Sequence, residues 1–155
     1  MERKNLLDLL VSNKLTLSSM ESLTGGLFSS TFTSLPGASQ AFLGGIVSYA
    51  TSSKEHFGVG EETIKEKGAI SPECAKEMAL VAAEHFHSDC SVSFTGNAGP
   101  EAQEGKPVGL AYVAIKVKDK LYSYKLELSG TRDSIRRQLV DFAFSTLYEK
   151  ISQSL

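Results

Sequence analysis

The order of its strand-like and helix-like segments most limits what this chain can fold into. Segments 15–20, 42–49 and 90–95 have the length and apolar content of strands, and each ends in a polar or glycine-containing loop. Helical segments alternate with them, at about 3–13, 27–35, 54–57, 61–67, 71–86 and 131–151. This alternation predicts an α/β fold, a three-layer α/β/α sandwich around a mixed, mostly parallel sheet of about five strands. Because no repeat or linker interrupts the pattern, we expect residues 1–155 to form one domain.

Several local signals add detail to this prediction. The run 42–49 is apolar almost throughout, which is typical of a strand covered on both faces, and the polar stretch 50–53 offers several N-caps for the short helix that follows. Segments 109–117 and 121–128 form a predicted hairpin that turns at 118–120. Ser71 and Pro72 mark a strong helix start, and that helix carries a stripe of small residues suited to close packing on a sheet. Thr131 caps the last helix, whose core-facing residues are predicted to be Ile135, Leu139, Phe142, Ala143, Leu147 and Ile151.

Composition narrows the class of protein. The chain is 41% hydrophobic and 22% charged, which is ordinary for a globular protein, and its net charge of −2 gives no general attraction for a polyphosphate backbone. We therefore expect no nucleic-acid partner. No signal peptide and no membrane-length apolar run is present, so a cytoplasmic location without a membrane partner is expected. Cys74 and Cys90 lack a redox-motif spacing and are predicted to be free thiols in the core or on a helix face.

Three familiar kinds of site are excluded. The histidines have no partner at metal-ligand spacing, so no metal site is predicted. The stretch from Gly99 to Lys106 has five residues between its glycines where a phosphate-binding loop has four, and Pro107 stands where that loop needs Ser or Thr. The corner around Ser22 lacks the glycines of a nucleophile elbow, and no histidine has a triad partner.

The remaining chemistry lies in two loops that follow strands. Ser22 precedes a glycine pair at the start of a helix, and Lys54 and Tyr49 follow the second strand. A lysine with a pKa near 10.4 is neutral in roughly one molecule in 2,500 at pH 7, so it serves as a base only if burial lowers its pKa by about three units. Tyr49 could then orient Lys54 or pass a proton, and the amides of Thr24, Gly25 and Gly26 could hold an oxyanion. Spacing alone leaves open whether Ser22 is a nucleophile, a helix cap or a ligand contact.

A wider set of motifs resembles the CinA C-terminal domain family over about residues 5–151. These are Glu-Ser-Leu-Thr-Gly-Gly at 21–26, Pro-Gly-Ala-Ser at 36–39, Gly-Ile-Val-Ser-Tyr at 45–49, Lys54, Gly-Ala-Ile-Ser at 68–71, Thr-Gly-Asn-Ala-Gly-Pro at 95–100, Lys-Pro-Val-Gly at 106–109 and Gly-Thr-Arg at 130–132. The family includes PncC-type nicotinamide mononucleotide deamidases. The resemblance implies an α/β/α fold and amide hydrolysis by a Ser/Lys pair with an auxiliary Tyr, without metal or cofactor. Those roles match Ser22, Lys54 and Tyr49.

The resemblance also implies a nucleotide substrate as partner. Its phosphate is expected near Thr95, Gly96 and Gly99, with Lys106 and Arg132 as cationic partners, although a solvated lysine and a helix-surface arginine are the alternative for those two. The loop 101–105 departs from the family's glycine-rich pattern and is one residue shorter. Two other functions therefore stay open: a non-catalytic nucleotide-binding or interaction module of the same fold, and hydrolysis of another small amide. The helix from Ser71 and the last helix could supply a face for self-association.

Overall fold

The computed structural model describes all residues from Met1 to Leu155, and it contains six α-helices and five strands. Their bounds, with a short 3₁₀ turn at Ala38–Gln40, are α1 Arg3–Ser12, β1 Leu17–Glu21, α2 Leu27–Thr33, β2 Phe42–Val47, α3 Thr51–Phe57, α4 Glu61–Lys67, α5 Pro72–Phe86, β3 Cys90–Gly96, β4 Leu110–Val117, β5 Lys120–Glu127 and α6 Arg132–Gln153.

The strands form one sheet in the order β2-β1-β3-β4-β5. β1 lies parallel to both β2 and β3, whereas β4 is antiparallel to β3 and β5 is antiparallel to β4. Four of the five strands therefore point the same way. The predicted mixed, mostly parallel sheet is confirmed, and the carboxyl ends of β1, β2 and β3 lie at one edge.

Helices cover both faces of this sheet, which confirms the three-layer sandwich. The larger core lies between the sheet and α1, α2 and α6, and contains Phe28, Phe32, Phe94 and Phe144. A smaller core lies on the opposite face under α5. No helix combines the length and the apolar composition needed to cross a bilayer.

Helix α5 packs close to β3. The hydroxyls of Ser93 and Ser91 donate to helix carbonyls, at 2.5 Å to Ala75 O and 2.6 Å to Ala79 O. Ala75 and Ala79 are fully buried, so small side chains bring the helix backbone within reach of strand hydroxyls. The helix starts as predicted, with the Ser71 hydroxyl accepting from Cys74 N at 3.1 Å and Pro72 in the first helical position.

The prediction for β2 was wrong in its burial. β2 is an edge strand, and Leu43 and Val47 are 46% and 50% exposed. Its apolar run has two causes: alternate side chains of the strand face the cores, and the two glycines allow neighbouring side chains to pack closely. A Cβ on Gly44 would come within 2.5 Å of the Phe86 ring, and one on Gly45 within 2.4 Å of Ser29 Oγ.

One smaller expectation also needs correction, and one is extended. Helix α3 begins at Thr51 with Ala50 in the N-cap position and no side-chain cap, so the hydroxyls at 51–53 do not serve as caps. Phe142 is half-buried and packs against the larger core and on Tyr124, as predicted, and Phe144, which was not predicted to face the core, is almost fully buried there.

Candidate active site

Three loops meet at the carboxyl edge of the sheet. Backbone bonds from Ser22 N to Phe94 O (3.0 Å) and from Ser48 N to Glu21 O (2.8 Å) hold the ends of β1, β2 and β3 in register. Because parallel strands deliver their following loops to one edge, residues distant in sequence become neighbours there. Ser22 comes from the first loop, and Lys54 stands on α3 after the second.

Lys54 and Ser22 form a direct buried contact. Lys54 Nζ lies 2.9 Å from Ser22 Oγ, and the two residues are 2% and 7% exposed. Lys54 Nζ also donates to Ser48 O at 2.8 Å and to Tyr49 O at 3.0 Å. The sequence suggests Ser22 and Lys54 as a candidate pair, and the fold places them in contact.

This arrangement suits a lysine base. An amine that donates two protons to two backbone carbonyls has one tetrahedral position left, and here that position faces the Ser22 hydroxyl. Burial lowers the pKa of Lys54 from its ordinary value, and the Cys74 thiol, when ionised, and the charge of Glu104 oppose that shift. In its neutral form Lys54 can therefore accept the Ser22 proton.

Tyr49 contributes its backbone at the dyad. Its carbonyl accepts from Lys54, and Ser22 Oγ lies 3.4 Å from the same oxygen. Its side chain is 56% exposed, and the phenol oxygen accepts from Arg132 Nη2 at 2.8 Å. The carbonyl, not the phenol, is thus the group that orients Lys54.

Glu21 fixes the corner on which Ser22 stands. Its fully buried carboxylate accepts from Phe28 N at 2.9 Å, from Ser29 N at 3.0 Å and from Ser29 Oγ at 2.6 Å. A carboxylate at the first N–H groups of a helix satisfies donors that have no partner within the helix. Glu21 therefore ties the end of β1 to the start of α2, and Ser22 is the next residue.

The turn after Ser22 leaves amides available for an oxyanion. Gly25 N donates to Ser22 O at 3.0 Å, so it is occupied, whereas the N–H groups of Leu23, Thr24 and Gly26 have no protein acceptor. Two of the three predicted amides are thus free, and Leu23 adds one that the sequence did not suggest. Such free, ordered amides are the donors from which oxyanion holes are built.

An open cavity of about 540 Å³ reaches the sequence neighbours of the dyad, Leu23 and Tyr49, but Ser22, Lys54 and residues 24–26 do not line it. Its wall includes Leu23 and Tyr49, the loop 96–101, Gln103 and Arg132. Gly96, Gly99 and Arg132, predicted as substrate contacts, line it directly. The amides of Ala98 and Gly99 have no protein acceptor, so they can bind an anionic group.

The other two predicted contacts lie elsewhere. The Thr95 hydroxyl is buried and donates to Ala69 O at 2.7 Å, so it holds the segment before α5 against the end of β3. Lys106 Nζ donates to Ile70 O at 2.5 Å and is paired with Glu104 at 3.2 Å. Lys106 does not line the cavity.

Glu104, a residue of the loop 101–105, holds this loop against the segment before α5. Glu104 accepts from Ala69 N at 2.9 Å and from Ile70 N at 3.1 Å. Burial raises the pKa of Glu104, but these two bonds and the bond from Lys106 outweigh it, so the pKa is lowered. The glycine-poor loop is therefore held against 69–70 and forms part of the cavity wall.

The remaining titratable side chains do not add a second centre. Cys74 and Cys90 are buried free thiols, as predicted, and burial raises their pKa values to about 12 and about 11. No three His, Cys, Asp or Glu side chains lie close enough together to hold a metal ion.

Sequence reasoning did not assign a role to Glu21, Glu104 or Arg136. Arg136 Nη2 donates to Thr24 O at 2.8 Å from 112 positions away. Glu21 could have been found from its place before a helix start, and Arg136 from its spacing of four residues after Arg132 on the same helix face.

The sequence and the fold of this chain were compared with those of known proteins. Residues 2–151 match the family model of the CinA C-terminal domain. The chain belongs to the CinA C-terminal domain family. Its relatives include proteins with the provisional name competence-damage inducible protein, one from Bacillus velezensis and one from Lysinibacillus sphaericus.

The Bacillus velezensis protein is 42% identical over 142 residues, which is 91% of this chain and 34% of that protein. The Lysinibacillus sphaericus protein is 37% identical over 148 residues, 94% of this chain and 35% of that protein. The chain thus spans about a third of the length of the curated relatives it matches.

Crystal structures of CinA proteins have the same fold. The competence/damage inducible protein CihA from Agrobacterium tumefaciens is 32% identical with a TM-score of 0.88, over 94% of this chain and 90% of that one. A CinA superfamily protein from Enterobacter cloacae is 28% identical with a TM-score of 0.94, over 96% of this chain and 89% of that one. The α/β fold of this chain is therefore that of the CinA structures.

Proposed function

We propose that this CinA domain is an amidohydrolase that converts nicotinamide mononucleotide and water to nicotinate mononucleotide and ammonia. The observation that supports it is the buried contact between Lys54 Nζ and Ser22 Oγ at 2.9 Å. Ser22 is therefore a nucleophile whose base is already in place, because the buried lysine that faces its hydroxyl is held by two carbonyl acceptors.

In the first step, neutral Lys54 takes the Ser22 proton as Oγ attacks the carboxamide carbon. The oxygen of the tetrahedral intermediate accepts hydrogen bonds from free amides of the turn 23–26. The intermediate then collapses, Lys54 gives its proton to the departing nitrogen, and ammonia leaves. Ser22 is now joined to the nicotinoyl group as an ester.

In the second step, water replaces ammonia. Lys54 removes a proton from the water, which attacks the ester carbon, and then returns that proton to Ser22 Oγ. The acid product leaves and Lys54 is neutral again. The carbonyls of Ser48 and Tyr49 hold Lys54 at one position throughout, so it serves as base and acid without moving.

The cavity supports a substrate of nucleotide size. Its volume of about 540 Å³ falls within the range of small-molecule sites. The phosphate would accept from the amides of Ala98 and Gly99 and from Arg132, whose guanidinium already donates to Gly99 O at 2.6 Å and to the Tyr49 phenol. Lys106, engaged with Ile70 and Glu104, is left out of this binding mode.

The test is ammonia release from nicotinamide mononucleotide by the wild type and by Ser22→Ala and Lys54→Met. Ser30→Ala and Lys65→Met, at exposed positions, are the matched controls. We expect release by the wild type and both controls, and none by the site variants. Equal release from Ser22→Ala would overturn the mechanism.

Two results would indicate the other functions. Calorimetric binding of the nucleotide without ammonia release supports a non-catalytic module, because the cavity would then be used and the dyad would not. Ammonia release from other small amides in a substrate panel, but not from the nucleotide, assigns the same chemistry to another substrate.

A further inference from the structure

The start of helix α6 touches all three loops of the site. Arg132 donates to Gly99 O at 2.6 Å and to the Tyr49 phenol at 2.8 Å, which reaches the loops after β3 and β2. Arg136, one helical turn later on the same face, donates from Nη2 to Thr24 O at 2.8 Å in the loop after β1. Arg132 lines the cavity, whereas Arg136 does not.

We infer that Arg136 is a positioning residue that holds the turn 22–26 in the conformation needed for attack by Ser22. The inference rests on the proposed Ser22/Lys54 chemistry and adds a residue to it. Arg136 contacts neither Ser22 Oγ nor the cavity, so it acts through the backbone of Thr24.

The bond from Arg136 adds a restraint to the Thr24–Gly25 peptide, which two backbone hydrogen bonds also hold. Thr24 O accepts from both Arg136 Nη2 and Leu27 N (2.9 Å), which engages both of its lone pairs. The next residues are Gly25 at φ +58° and Gly26 at φ +100°. Because glycine lacks a Cβ, a peptide beside it rotates at little steric cost unless a bond prevents it.

The orientation of this peptide sets the free amides around it. The N–H of Thr24 precedes the fixed carbonyl and the N–H of Gly26 follows it, and neither has a protein acceptor. If the Thr24–Gly25 peptide turned, the bond from Gly25 N to Ser22 O at 3.0 Å would also be lost. Ser22 and its candidate oxyanion donors therefore depend on the orientation of one peptide, and Arg136 is the one side chain that holds its carbonyl, beside the backbone bond from Leu27 N.

The packing around Arg136 leaves little tolerance. A Cβ on Gly25 would come within 3.3 Å of Arg136 Nη2, so the guanidinium lies directly over the turn. Arg136 Nε is buried without an acceptor, and the hydrogen bond to Thr24 O is the one polar contact that the side chain makes. Removing the guanidinium takes away one of the two hydrogen bonds to Thr24 O without removing any group from the cavity.

The test compares Arg136→Ala with Arg137→Ala. Arg137 is the next residue, but it is exposed and pairs with Asp133 at 3.1 Å, so it is a matched surface control. Two rates are measured for each protein: ammonia release, and labelling of Ser22 by a fluorophosphonate, followed by intact mass. In that labelling Ser22 Oγ forms a bond to phosphorus, fluoride leaves, and Lys54 takes the hydroxyl proton.

We expect Arg136→Ala to lower kcat and the labelling rate by about 100-fold with KM unchanged, because misplacement of a reacting group costs on this order. Added guanidinium ion should restore part of both rates in Arg136→Ala and change neither in Arg137→Ala. Equal labelling rates in the two variants would overturn the inference. A reduced rate that guanidinium does not raise, with a lowered melting temperature, would assign Arg136 to stability alone and also overturn it.

Failure of the proposed function is distinguishable from failure of this inference. A wild type that is labelled at Ser22 but releases no ammonia from the nucleotide disproves that substrate, and the labelling rates still decide the role of Arg136. A wild type that is not labelled disproves a reactive Ser22 and, with it, both proposals.

Discussion

Lys54 Nζ lies 2.9 Å from Ser22 Oγ across 32 positions of sequence, and both side chains are almost completely buried. Two backbone carbonyls, Ser48 O and Tyr49 O, accept from Nζ, and in the neutral amine they engage both of its protons. The direction of the remaining bond, and the burial that lowers the pKa of Lys54, together support its proposed role as a base.

The first prediction concerns pH. Because the base must be neutral, we expect kcat/KM to rise tenfold per pH unit below the pKa of Lys54 and to level off above it, at a pH below the ordinary value of 10.5. Lys54→Arg should lose roughly 10²–10⁴-fold at every pH, because a guanidinium stays protonated. A pH profile with Lys65→Arg as control checks this, and a rate that is independent of pH up to 10.5 would contradict it.

The second prediction concerns Glu104 and stability. Its pKa is lowered in the folded protein, so its contribution is present above the ordinary value of 4.5 and is lost as pH falls through the lower, folded value. Glu104→Gln should therefore melt below the wild type at pH 7, and the gap should narrow below pH 4.5. Thermal unfolding across this range is the measurement, with exposed Glu127→Gln as control. A gap that widens in acid would be the opposite result.

The third prediction concerns the buried acid at the start of α2. Glu21→Gln keeps the shape but removes the charge and one acceptor, so at least one of the donors at Phe28 and Ser29 loses its partner. We expect a loss of about 1–3 kcal/mol in the free energy of unfolding by denaturant. Glu73→Gln, an exposed acid in the first turn of α5, should change little. Similar losses in both variants would show that the buried Glu21 contributes no more to the free energy of unfolding than an exposed acid does.

The fourth prediction compares two glycines with positive φ. Gly105 has φ +69° and open space around it, whereas a Cβ on Gly109, at φ +93°, would lie 1.8 Å from Leu128 O. Both alanine variants carry backbone strain of roughly 1 kcal/mol, and Gly109→Ala should lose about 1–3 kcal/mol more. Denaturant unfolding of the two proteins tests the difference. Equal midpoints would mean that the chain near Leu128 moves aside at no cost.

Local patterns were sufficient for most elements and insufficient where burial depends on position in the sheet. The Ser71-Pro72 helix start follows from neighbours in sequence, and the structure confirms it. The apolar run of β2 predicts a strand covered on both faces, but β2 lies at the edge of the sheet. No short-range pattern states which strand lies outermost, because that depends on pairing between distant segments.

Local patterns in the sequence predict the order of elements and the α/β class, and the order of its motifs points to the family and to the candidate trio Ser22, Tyr49 and Lys54. Which atoms meet depends on how the chain packs. The tertiary structure brings Lys54 to Ser22, uses the carbonyl of Tyr49 in place of its phenol, occupies Lys106 with Ile70 and Glu104, and places Arg136 over Thr24. The physical reason is that hydrogen-bond direction and burial arise from packing across long separations, whereas sequence patterns report on residues within a few turns of each other.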